Sequence, residues 1–222
     1  MGRSWQAPER SSLFVSVLLR PVNPAGRPLP TQSYAWLSLL AALSLTKSVA
    51  ARTGVAPRLK WPNDVLVDGR KLAGVLAQLV PDSSGNPPAV VVGVGLNVSL
   101  TDEDQPVPTA TSLLMEYAST TDRNVLLQDF LLQLNLDYRA FCAVDGDATA
   151  PWSGDGSLRD NIAERMVTLG QRVRAHLPGG GEVVGRALEL AADGGLVIVD
   201  SEAGVRQAIT AADVIHLRPS EA

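Results

Sequence analysis

The stretch KWPNDVLVDGRKLAG, residues 60–74, contains two of the three lysines in a chain whose other strongly basic side chains are all arginine. An Asn-Asp pair and an Asp-Gly pair interrupt the stretch, and Asp-Gly between apolar runs is the strongest short-range signal of a β-hairpin. Strands on either side of these turns bring Lys60, Asp64 and Lys71 into one neighbourhood. Because two ammonium groups repel each other, the pattern indicates that a carboxylate or a phosphate lies between them.

Bulk properties favour a cytoplasmic protein. A chain of 222 residues suits one medium domain, or one domain of about 160 residues plus a smaller one. The single cysteine, Cys142, excludes an internal disulfide and fits a reducing compartment. The net charge of −4 argues against a nucleic-acid partner. The longest apolar run, residues 33–50, contains serines and Lys47, so it predicts a buried helix and no membrane span.

The remaining pattern predicts an α+β fold. Apolar runs rich in branched residues predict strands, and Asp122 is a typical N-cap residue. Helices are expected from Thr31, as N-cap, to about Thr53, and from Asp122 to about Ala143. The further predictions are strands at 13–20, 58–62, 65–67, 70–80 and 89–100, and short helices starting near 111 and 158.

The pattern changes near residue 167. The remaining chain contains about five short apolar runs, separated by Gly-rich or Asp-Gly turns at roughly ten-residue spacing. This arrangement is typical of a small SH3-like β-barrel. The sequence therefore predicts two domains, 1–166 and 167–222.

Glycines near the second lysine indicate where a flat ligand approaches the backbone. Gly74 follows Lys71, and the run GVGLN places Gly93 and Gly95 before Asn97, whose amide can both donate and accept hydrogen bonds. An equally simple interpretation needs no ligand. Lysines beside a hairpin are usually solvated, Asn-Asp and Asp-Gly are ordinary turn formers, and glycines in strands often mark bulges.

Taken together, KWPNDVLVDGRKLAGVLAQ, the later GVGLNV and the opening GRSW resemble the biotin–protein ligases. The resemblance covers nearly the whole chain in order, and KWPND with KLAG seven residues further on is its most specific part. It implies a mixed sheet flanked by helices, related to class II aminoacyl-tRNA synthetases, with an SH3-like tail. It also implies ATP, with accompanying Mg²⁺, and biotin as the substrates. The partner would be the biotin carboxyl carrier domain of a carboxylase.

The resemblance also implies residue roles. Lys71 matches the family's essential lysine and is expected to contact the biotin carboxylate and the α-phosphate, with Lys60 and Asp64 as the other charged members. The expected binding residues for biotin and ATP are Arg3, Trp5, Lys71, Gly74, Leu76, Gly95 and Asn97. No metal-ligating side chain is predicted. His176 and His216 are expected to be ordinary barrel residues.

Some alternatives stay open at this stage. Family members usually begin their catalytic domain upstream of the Gly-Arg segment, whereas this chain starts at Met1-Gly2-Arg3. The expectation is therefore that an amino-terminal part is missing and that the chain as given is a poor ligase. A lipoate or octanoate ligase and a non-catalytic protein that docks an acceptor domain are the competing functions. The sequence also leaves a homodimer open.

Overall fold

The described part of the chain contains two antiparallel sheets and three α-helices. The computed structural model describes residues 7–83, 85–105, 107–152, 156–200, 204–210 and 213–216. The strands are β1 Ser12–Leu19, β2 Arg58–Lys60, β3 Asp64–Val67, β4 Arg70–Val80, β5 Ala89–Asn97, β6 Arg172–His176, β7 Glu182–Leu190, β8 Leu196–Asp200, β9 Arg206–Ile209 and β10 Asp213–His216. The helices are α1 Trp36–Thr53, α2 Arg123–Ala143 and α3 Leu158–Arg165.

The first sheet has the strand order β1-β5-β4-β3-β2. The α+β class is confirmed, but the sheet is antiparallel where a mixed sheet was expected. The reason lies in the connections, since the short links from β2 to β5 leave no room for the crossover that parallel neighbours require. Among the described residues, parallel pairing is limited to single bridges, such as that between Lys71 and Ala110.

Helix α1 forms the centre of the core. Thirteen of its 18 residues are buried between the first sheet and α2. It is apolar enough to cross a membrane by length and composition, but its burial makes it a core helix, as predicted. Its buried threonine hydroxyls are satisfied within the helix, because Thr46 donates to the Ala42 carbonyl at 2.8 Å and Thr53 to the Val49 carbonyl at 2.7 Å.

The predicted start of α1 is wrong by four residues, since the N-cap is Ala35 and Thr31 was expected. Residues 31–35 form a 3₁₀ turn that follows Pro30, the α-helix begins at Trp36, and Thr31 provides no side-chain cap. The tighter backbone of this turn precludes the α-helical N-cap geometry expected for Thr31. The predicted end is confirmed, since Gly54 terminates the helix with a φ of +75°.

Two other helix predictions have different outcomes. The Asp122 carboxylate caps α2 as predicted and accepts hydrogen bonds from the Asn124 and Val125 N–H groups at 2.8 and 3.3 Å. The short helix expected from residue 111 is wrong, because residues 113–117 form turns that end at Tyr117 with a φ of +53°. A non-glycine residue in this left-handed region cannot continue an α-helix.

The second sheet has the order β10-β6-β7-β8-β9, which matches the five strands predicted after residue 167. Two indoles connect it to the first part of the chain. Trp36 Nε1 donates to the Ala192 carbonyl at 2.9 Å, and Trp61 Nε1 donates to the Gly194 carbonyl at 3.0 Å. Both acceptors lie in the β7–β8 turn, so this turn attaches the barrel to α1 and to the KWPN segment. The boundary between residues 166 and 167 stays a prediction.

Candidate functional site

The face of the first sheet that points away from α1 carries a cavity of about 540 Å³. Five of the predicted site residues line it: Asp64, Lys71, Gly74, Leu76 and Gly95. It is also lined by Gly93, which the sequence indicated as a place where a flat ligand approaches, and by Phe14, Ser16 and Asn63, which were not predicted as site residues. A concave surface that is mostly apolar and has a few polar groups at one end is the usual form of a small-molecule site.

Strand register explains the floor of the cavity. Gly95 lies between Phe14 and Gly74 on the neighbouring strands, and Gly93 lies between Ser16 and Leu76. The glycines leave bare backbone in the centre of the sheet, where a flat ring can approach closely. Beside them, Phe14 is 57% and Leu76 67% exposed. Large apolar side chains exposed on a concave face are typical of a binding surface.

A β-bulge directs Lys71 into this cavity. The register between β3 and β4 shifts so that Leu72 is the extra residue on β4. Leu72 and Ala73 are both buried, which breaks the alternation of faces that a regular strand would show. Without the bulge, Lys71 would share the face of Ala73 and point into the core. The bulge places it on the face of Gly74 and Leu76.

An ion pair marks the polar end of the cavity. Lys71 Nζ lies 2.5 Å from Asp64 Oδ1, and the two side chains are 35% and 23% exposed. The turn that presents Asp64 is fixed to β4, because Asn63 Nδ2 donates to the Val75 carbonyl at 2.6 Å and the Val75 N–H donates to the Asn63 carbonyl at 2.9 Å. The ammonium group is therefore held at the cavity rim by a short turn with fixed geometry.

Lys60 occupies a different place from Lys71. It lies directly opposite Asp64 in the β2–β3 register, as expected, but it is not among the residues that line the cavity. Burial first, and then the nearby Lys60 ammonium, lower the pKa of His216 on β10. His216 Nε2 lies 3.3 Å from the Thr168 hydroxyl, which accepts a hydrogen bond from the Trp61 N–H at 3.0 Å. Lys60 is therefore opposite the carboxylate of the turn and acts electrostatically on a residue of the barrel.

The side chain of Asn97 binds main-chain carbonyls in this structure. It is only 3% exposed, and its Nδ2 donates to the Thr111 carbonyl at 2.9 Å and to the Lys71 carbonyl at 3.4 Å. Its expected contact with a nucleotide stays a prediction. Arg3 and Trp5, the other two predicted binding residues, lie outside the described residues.

No resident metal site is visible in the described part of the chain, where no three His, Cys, Asp or Glu side chains form a cluster. Asp64 is the carboxylate that lines the cavity. Hard cations such as Mg²⁺ prefer several oxygen ligands. A magnesium ion at this site would therefore depend on oxygens that a ligand brings, with Asp64 as the protein's contribution.

Comparisons with known proteins agree with this geometry. The model of the biotin/lipoate A/B protein ligase family matches residues 1–97, and that of the biotin protein ligase C-terminal domain matches residues 168–217. The biotin–[acetyl-CoA-carboxylase] ligase of Mycobacterium tuberculosis is 38% identical over 98% of this chain and 74% of its own length. The ligase of the same name from Paracoccus denitrificans is 33% identical over 96% of this chain and 83% of its own length.

The fold agrees as well. The biotin protein ligase from Aquifex aeolicus in complex with biotin and ATP superposes with a TM-score of 0.73 at 23% identity, over 97% of this chain and 83% of that one. At this identity the likeness supports the fold. The two ligases at 38% and 33% identity establish the family. The chain belongs to the biotin protein ligase family.

Proposed function

We propose that the chain activates biotin with ATP and transfers it to a lysine of a biotin carboxyl carrier domain in the cytoplasm. The observation that carries the proposal is the position of Lys71, which a bulge places beside Asp64 at the rim of a glycine-floored cavity. The relative from M. tuberculosis, at 38% identity, is named for ligation to acetyl-CoA carboxylase.

In the first step the carboxylate of biotin attacks the α-phosphorus of ATP. The bond from this phosphorus to the bridging oxygen breaks, and biotinyl-AMP and pyrophosphate form. Negative charge is concentrated on the carboxylate and the α-phosphate, where a compact ammonium can neutralise both groups. We assign this role to Lys71, with the ring of biotin over Gly74 and Gly95 and against Leu76. Asp64 holds the Lys71 ammonium in place before the substrates arrive.

In the second step the nucleophile comes from the partner. The amine of the acceptor lysine attacks the acyl carbon of biotinyl-AMP, the bond to the AMP oxygen breaks, and an amide and AMP form with loss of a proton. The described part of this chain therefore needs no Ser-His-Asp set. A magnesium ion that accompanies the nucleotide would neutralise phosphate charge. Asp64, which lines the cavity, would be its carboxylate ligand from the protein.

Pyrophosphate exchange into ATP tests the proposal. We expect exchange to depend on biotin, to be insensitive to competing lipoate or octanoate, and to precede biotin transfer to a carrier domain. Exchange that depends on lipoate or octanoate would instead identify a different acyl-adenylate ligase. Carrier binding without any exchange would identify a docking protein. Either result refutes the proposed activity.

A further inference from the structure

A short segment takes the place of a strand beside Lys71. Strand β5 ends at Asn97, and beyond this point residues 109–111 run next to β4. The Lys71 N–H donates to the Thr109 carbonyl at 2.7 Å, and the Thr111 N–H donates to the Lys71 carbonyl at 2.9 Å. Both main-chain polar groups of Lys71 are therefore held by a segment that belongs to neither neighbouring strand.

One carboxylate bonds both to the segment at residues 109–111 and to β4. Glu116 Oε1 accepts a hydrogen bond from the Thr111 hydroxyl at 2.5 Å and another from the Arg70 guanidinium at 2.8 Å. Thr111 is fully buried and the Glu116 side chain is 10% exposed. Arg70 directly precedes Lys71 in the chain. Glu116 therefore joins the segment at residues 109–111, through Thr111, to the start of β4, through Arg70.

We infer that Glu116 is a positioning residue for Lys71, acting through Thr111 and Arg70. The inference rests on the proposed function of Lys71. Glu116 is not among the residues that line the cavity. It therefore acts by fixing the position of the Lys71 ammonium group. Hydrogen bonds to charged groups are about twice as strong as neutral ones, and buried networks of them define a single geometry.

The chain supplies a matched control for this inference. Asp129 on α2 forms a two-bond ion pair with Arg52, a pair of the same chemical kind as Arg70–Glu116. Neither Asp129 nor Arg52 bonds to Lys71 or to the segment at residues 109–111. Asp129→Ala therefore reports the loss of an arginine–carboxylate pair alone, whereas Glu116→Ala removes the pair together with the support of Lys71.

Because the chain has only three lysines, ¹³C reductive methylation followed by NMR observes Lys71 directly, with its signal assigned by Lys71→Arg. We expect Glu116→Ala to shift or broaden this signal and Asp129→Ala to leave it unchanged. Thr111→Val removes one hydrogen bond while keeping the side-chain shape, and should move the signal in the same direction. A Lys71 signal unaffected by both Glu116→Ala and Thr111→Val overturns the inference, whether or not the chain activates biotin.

Kinetics provide the second readout. A misplacement of about 1 Å can lower a rate about 100-fold, so we expect Glu116→Ala to lower the kcat of adenylate formation by about 10- to 100-fold. kcat/KM should fall by the same factor, because the lost interaction belongs to the transition state. Equal losses in Glu116→Ala and Asp129→Ala overturn the inference. If the unaltered chain fails to activate biotin, the proposed function fails and the NMR result still decides the positioning role.

Discussion

Replacing Lys71 by methionine removes the ammonium group and keeps most of the side chain's length. At about 4 Å and an effective dielectric constant near 20, one contact between unit charges is worth about 4 kcal/mol. The Lys71 side chain is 35% exposed, so screening by water reduces this value to about 2–4 kcal/mol. Since each 1.36 kcal/mol changes a rate tenfold, Lys71→Met should slow biotin-dependent pyrophosphate exchange by about 30- to 1,000-fold.

Two further variants make this assay decisive. Lys71→Arg should remain slow, because a forked guanidinium does not occupy the place of a compact ammonium. Lys47 is the control lysine, since its ammonium lies 3.0 Å from Asp137, between α1 and α2. Lys47→Met should therefore lower the melting temperature and leave the exchange rate per folded molecule unchanged. An exchange rate in Lys71→Met within threefold of the unaltered chain would refute the role assigned to this lysine.

Three other predictions concern the cavity and the barrel. A Cβ added at Gly93 would lie 3.7 Å from the Leu76 carbonyl oxygen, so Gly93→Ala should keep its melting temperature but raise the KM for biotin about tenfold or more. Burial lowers the pKa of His216, so as the pH falls the unfolded chain binds a proton at a higher pH than the folded chain does. Stability in urea should fall as the pH drops from about 6.5 to about 5, above the range in which carboxylates titrate, and His216→Gln should abolish the dependence in this window. Trp61→Phe leaves the Gly194 carbonyl without its 3.0 Å hydrogen bond and should cost about 1–3 kcal/mol in urea unfolding. A flat pH profile, or unchanged unfolding midpoints and KM values, would contradict these predictions.

Local chemistry made part of the site predictable. The turns at Asn63-Asp64 and Asp68-Gly69 fix the strand connections, and the structure brings Lys71 to Asp64 as these turns require. The bulge at Leu72 was missed. Its sequence signal is the pair Leu72-Ala73, two adjacent apolar residues that interrupt the alternation expected of a half-buried strand.

Long-range contacts account for most of what sequence reasoning missed. Nothing local indicates that residues 109–111 lie beside Lys71, or that Glu116 fastens them there, because both follow from how distant segments pack. Nor does the sequence indicate that the Asn97 amide donates to the main-chain carbonyls of Thr111 and Lys71, and its expected contact with a nucleotide stays a prediction. The hairpin pattern groups Lys60 with Asp64, as the strand register does, whereas the electrostatic effect of Lys60 on the pKa of His216 on β10 depends on the tertiary fold.

The place of the Lys71 ammonium relative to a bound adenylate tests the central claim most directly. A crystal structure of the chain with a non-hydrolysable analogue of biotinyl-AMP would measure it. We predict that Lys71 Nζ lies within about 3 Å of an oxygen at the acyl–phosphate junction, with the biotin ring over Gly74 and Gly95. An analogue bound elsewhere, or a Lys71 side chain turned away from that junction, would contradict the account.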